Sequence, residues 1–127
     1  MTAAKTNRVI ERPGKLTALA IATIVSGAFN IMAACGLTIS VVVGTFGIGL
    51  LCAPLTLLPI VLGIFEIIYG AKLLANPPKP VKPSMAIAVL EILTVLFLNV
   101  ISLVVGILAI VFYNDQEVKD YFAAINA

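Results

Sequence analysis

Apolar residues do not alternate with polar ones along this chain; they run on. Leu16 to Val43, Leu50 to Leu74 and Met85 to Phe112 are nearly free of charge, with Glu66, Lys72 and Glu91 as the exceptions. Each exceeds the about 18 apolar residues at which a run reads as a membrane-crossing helix. The pattern predicts an all-α integral membrane helix bundle with three long transmembrane helices and a C-terminal amphipathic helix. Its divisions are a basic N-terminal segment 1–15, a helical hairpin 16–75, a Pro-rich loop 76–83, a third transmembrane helix 84–113 and a tail 114–127. The hairpin turn falls in Gly44-Thr45-Phe46-Gly47-Ile48-Gly49, where glycine permits tight backbone geometry. Four prolines in Asn76 to Pro83 exclude a helix there.

Charge placement orients these elements. Of eight Lys and Arg residues, Lys5, Arg8, Arg12 and Lys15 precede the first run, Lys72, Lys79 and Lys82 surround the Pro-rich loop, and only Lys119 lies beyond. Lys and Arg flanking membrane spans mark the cytoplasmic side. The N-terminus and the loop therefore share that side, and a third crossing leaves the acidic tail outside. A four-span arrangement competes, turning near Cys35-Gly36 and Ala53-Pro54, but it puts three lysines on the wrong side. A further alternative folds the last segment back near Leu98-Asn99 as a re-entrant hairpin and returns the tail to the cytoplasm.

The few polar residues fall in stripes. Cys52, Thr56, Pro59, Gly63, Glu66 and Gly70 follow one another by three or four residues, one face of a helix. Glu91, Thr94, Asn99, Ser102 and Gly106 share a face of the third segment, and Thr23, Ser26, Gly27, Asn30, Ala33 and Ala34 a sector of the first. Small and polar residues mark helix contacts in lipid, because apolar surface gains nothing there by being covered. Thr56, Gly63, Gly70, Ser102 and Gly106 are thus packing residues. At 1.5 Å per residue, Glu66 lies about 15 Å before Asn76 and Glu91 about 12 Å after Pro83, and Asn30 and Asn99 are matched at roughly 22 Å. Glu66, Glu91, Asn30 and Asn99 form a candidate intramembrane polar or proton site. Two carboxylates brought together in low dielectric cannot both stay ionised, so a proton or a cation must sit between them.

In the tail, Val118, Tyr121, Phe122 and Ile125 recur at helical spacing and suit the membrane interface or a partner subunit. Cys35 and Cys52 fit no metal-ligand spacing and read as small buried residues. The rival reading, a lipoprotein signal ending at Cys35, would leave a mature chain starting with another apolar run. There is no His or Trp and no nucleotide-binding loop, so the sequence points to no enzyme, no cofactor, no metal and no nucleic acid.

The stretch NVISLVVGILAIVFYNDQEVKDYF, from Asn99 to Phe122, resembles the ends of small multi-pass membrane proteins of bacteria. The resemblance implies a bacterial inner-membrane location and carries no activity. Composition agrees with the location, at 61% apolar and 11% charged residues with a mean hydropathy of +1.17. The expected function is a non-catalytic scaffold or accessory subunit, in contact with the lipid bilayer and packed into a homo-oligomer or with other membrane subunits. The alternative is a proton- or cation-coupled transporter or channel component using Glu66 and Glu91.

Overall fold

The computed structural model describes residues 10–97 and 99–127, without the Phe97 side chain; Lys5, Arg8 and Leu98 lie outside the described residues. The first element, α1, is one helix from Gly14–Gly44. It runs unbroken through Cys35 and Gly36, where the four-span arrangement needs a turn, because nothing in this run interrupts the backbone hydrogen-bond ladder. It stops at the glycine-rich turn expected from the sequence. There Phe46 and Gly47 take positive φ of 52° and 92°, and the Thr45 hydroxyl caps both sides, donating to the Val41 carbonyl and accepting from the Gly49 N–H.

The return leg starts as a 3₁₀ turn, Ile48–Cys52, continues through the short α2, Ala53–Thr56, and becomes α3, Leu58–Leu73. Pro54 and Pro59 each sit in the first turn of a helix, where a missing N–H costs nothing; they mark joints rather than kinks. From Ile48 to Leu73 the leg is 26 residues long, and it and α1 are both long and apolar enough to cross a membrane.

The third apolar segment departs from the sequence expectation. It is not one helix over 84–113 but two: α4, Met85–Leu93, extended by a 3₁₀ turn Thr94–Phe97, and α5, Val100–Tyr113. Asn99 caps α5, its side chain accepting from the Ser102 N–H at 3.2 Å. The two helices lie antiparallel, since a Cβ on Gly106 would sit 2.6 Å from the Ala88 carbonyl oxygen. The segment thus folds back as a hairpin near Asn99, the chain reversal that the re-entrant alternative requires. Each leg spans about 20 Å, short of the roughly 30 Å of hydrocarbon in a bilayer. The last helix, α6, Gln116–Ile125, bends away from α5 by 77°.

Backbone closeness between helices comes from glycine. Gly27 of α1 faces Gly63 of α3, and a Cβ on either would lie 2.6 or 2.5 Å from the other's carbonyl oxygen. The second hairpin repeats this contact. Gly27 meets Gly63, Glu66 and Ile67, and Gly106 meets Ala88, Glu91 and Ile92, so a small-x-x-Glu-Ile pattern on α3 and α4 makes the same collar around a glycine of its neighbour. An apolar core of Leu16, Leu19, Leu73, Val105, Val118 and Phe122 gathers where the start of α1 meets α6.

Adding a methyl at these contacts should be costly. Gly27→Ala and Gly63→Ala are expected to lower stability by about 1–3 kcal/mol through overpacking. Gly36→Ala, where nothing lies within 4 Å, should be neutral or gain up to about 1 kcal/mol of helix propensity. Denaturation midpoints in detergent micelles check both.

Candidate functional site: a buried polar network at the hairpin crossing

Asn30 is the hub. From α1 its Nδ2 donates to both carboxyl oxygens of Glu66 on α3, at 3.0 and 2.9 Å. Its Oδ1 accepts from Asn99 Nδ2 at the tip of the second hairpin. One turn away, the Ser26 and Ser102 hydroxyls share a hydrogen bond of 2.6 Å. Asn30, Glu66, Ser26 and Ser102 are all at most 1% exposed.

Glu91 of α4 completes the set. Its carboxyl is buried beside that of Glu66, and two carboxylates brought together in low dielectric cannot both stay ionised. Its Oε1 is buried with no donor facing it among the described residues. Glu66, Glu91, Asn30 and Asn99 thus come together as the sequence depth matching expects, through a hairpin rather than a single third helix. A small cavity of about 60 Å³ adjoins the amides, lined by Asn30, Ala33, Ala34, Leu37, Pro59 and Asn99. It is polar on one side and has room for water.

The packing residues named from the sequence flank this network. Gly63, Gly70 and Gly106 lie at close helix approaches, Ser102 in the hydroxyl pair, and Thr56 accepts from the Thr38 hydroxyl at 2.9 Å. Cys35 and Cys52, expected to be buried, are both free and exposed; a thiol packs as a small hydrophobe and these two fall on outward apolar surface. Sequence reasoning missed a tyrosine pair. The Tyr69 hydroxyl donates to the Lys82 carbonyl at 2.8 Å and accepts from the Ser84 N–H at 3.0 Å, and Tyr113 donates to Tyr69 at 3.3 Å. The available signal was position: Tyr69 stands one turn after Glu66, next to the Pro-rich loop.

The tail differs from its sequence reading as well. Val118, Tyr121, Phe122 and Ile125 are buried in the chain's own core, so this face is filled from within and is not open to a bilayer surface or a partner. Tyr113 and Phe122 meet edge to face, with ring centroids 6.0 Å apart. Asp115 caps α6 by accepting from the Glu117 N–H and pairs with Lys15 at 2.6 Å. Arg12 donates to the Ala75 carbonyl and Asn126 to that of Val81. The start of α1, the Pro-rich loop and the tail therefore share one end of the molecule, which corrects the expectation that the tail lies opposite the loop.

Among the described residues no three His, Cys, Asp or Glu side chains are placed to hold a metal ion. Comparison with protein-family models, with curated proteins and with solved structures finds no match.

Two tests follow from these contacts. Asn30→Leu leaves both Glu66 oxygens without their donor and should cost about 1–3 kcal/mol, whereas Thr38→Val, at a half-exposed edge, should cost less than about 1 kcal/mol; denaturation midpoints in detergent separate them. The hydrogen bond from Lys15 holds the Asp115 carboxyl below the usual aspartate range. A depressed carboxyl stabilises the docked tail above the ordinary value of about 4, and that contribution disappears as pH falls through the folded-state value. Amide exchange in α6 should therefore accelerate below pH about 4 relative to α1, and Asp115→Asn should remove most of that difference.

Proposed function

We propose that this chain is a multi-pass protein of the bacterial inner membrane, acting as a non-catalytic scaffold or accessory subunit in a homo-oligomer or larger membrane complex. The carrying observation is where polarity goes. The amides and carboxyls of the long apolar segments are buried inside the chain where the two hairpins meet, and the outward faces are left apolar. Such a surface suits lipid and the apolar helices of other subunits. The described basic residues cluster at the end that holds the start of α1, α6 and the loop, while Gly44 to Leu57 carries no charge. By the positive-inside rule the basic end is cytoplasmic, with α1 and the Ile48–Leu73 leg crossing and the α4–α5 hairpin entering and leaving from that side.

A second reading, a proton- or cation-handling site, is favoured by the unpartnered Glu91 Oε1 beside the Glu66 carboxyl and by the water-sized cavity at Asn30 and Asn99. Helix breaks at membrane depth persist where protein or a water-filled cavity satisfies the backbone, and intramembrane acids mark ion pathways.

Reconstituted vesicles separate the two. The scaffold reading predicts no proton or cation flux above that of empty vesicles, and the same co-purifying partners for wild type and for Glu66→Gln/Glu91→Gln. Flux in wild type that the double variant abolishes, with assembly intact, overturns it. For orientation, single cysteines at Lys79 and Ala127, in a Cys35→Ser/Cys52→Ser background, should both react with an impermeant thiol reagent only from the cytoplasmic face. Labelling of Ala127 from the other face contradicts the arrangement.

A further inference from the structure

The glutamates and the Tyr69 contacts hold α3 and α4 together on their inner side, and on the outer side the two helices diverge. The gap is a groove of about 690 Å³, walled by Leu62 and Phe65 of α3 and by Ile87 and Leu90 of α4, with Ser84 at one end and Leu96 at the other. Phe65, Leu90 and Leu96 are exposed. The walls are almost wholly hydrocarbon, so whatever fills the groove is apolar along its length.

Three features choose the occupant. The groove begins at the first turn of α4 and ends within the 3₁₀ turn that follows it, about 18 Å along, which is about one leaflet of a bilayer and not two. A partner's transmembrane helix would lose one wall halfway across, whereas an acyl chain ends there. The loop that leads into the Ser84 end, Asn76 to Pro83, carries exposed Lys79 and Lys82 and no acid. The first turn of α4, capped by Ser84, adds N–H groups of the kind that receive phosphate at helix N-termini.

We infer that the α3/α4 groove binds one anionic phospholipid of the leaflet at the basic end, with an acyl chain between Leu62, Phe65, Ile87 and Leu90 and the phosphate at Ser84 and Lys82. The inference rests on the membrane reading above, which carbonate extraction of native membranes tests separately: release of the chain into the wash fails that reading before any lipid is assayed.

The test uses the full chain in vesicles of phosphatidylglycerol and phosphatidylcholine with matched tails. Phosphatidylglycerol carrying a photoreactive group near the end of its acyl chain should crosslink wild type mainly within residues 58–65 and 84–96. Purified protein should retain it over phosphatidylcholine by at least fivefold, and Lys79→Gln/Lys82→Gln should bring that ratio close to one while crosslinking in the groove persists. Leu62→Trp should abolish groove crosslinking, and Val104→Trp, on the outward face of α5, should leave it unchanged. Crosslinks spread evenly over α1 and α5, or unaltered retention in Leu62→Trp of native helix content, overturn the proposal. So does a second copy of the chain seated in the groove, read as a disulfide-linked dimer of Phe65→Cys in the Cys35→Ser/Cys52→Ser background.

Discussion

An amide or carboxyl moved into hydrocarbon without a partner costs several kcal/mol, and this chain carries two glutamates and two asparagines deep within its apolar segments. The hydrogen bonds from Asn30 to Glu66 are the interaction on which the remaining geometry depends. They form only because Gly27 and Gly63 let α1 and α3 approach to backbone contact. Asn99 reaches the same hub only because the third segment reverses there. The reversal in turn needs Ala88 and Gly106, the second pair of small residues, to close it. Small residues set the distance, and polar residues give the close packing its specificity.

The two hairpins are variations on one joint. In each, a glycine seats against a small-x-x-Glu-Ile face, so each glutamate leaves its helix beside the crossing point and the two carboxyls converge from antiparallel helices. That convergence serves both functional readings. Read as a clamp, the buried pair joins the hairpins; read as a site, it holds an exchangeable proton or cation. Burial and the Asn30 contacts favour the clamp, and the Glu91 oxygen without a donor is the feature a pure clamp leaves unexplained.

Much of this was legible in the sequence because the governing rules are local. Unbroken apolar runs, the glycine turn after α1 and stripes of small residues follow from helical periodicity, and counting 1.5 Å per residue from the basic ends matched the depths of Glu66 and Glu91. The helix count was harder. Met85 to Phe112 is apolar throughout, and nothing but Asn99 marks a break, since an asparagine inside an apolar run reads equally well as a polar contact or as a cap. The tail misled for a similar reason: an amphipathic face is the same whether lipid, a partner or the chain's own Leu16 and Leu19 cover it. Only tertiary contact distinguishes these, and the Lys15 to Asp115 pair spans a hundred residues.

The reversal at Asn99 is the point at which the account is most exposed, and a spin-label distance between Met85→Cys and Tyr113→Cys in the cysteine-free background reads it directly. With the hairpin closed the labels stand on neighbouring helix ends, and the account predicts a narrow distribution within roughly 20 Å, an interaxial spacing plus two label tethers. A single continuous helix would separate them by about 42 Å, and a distribution centred there would contradict it.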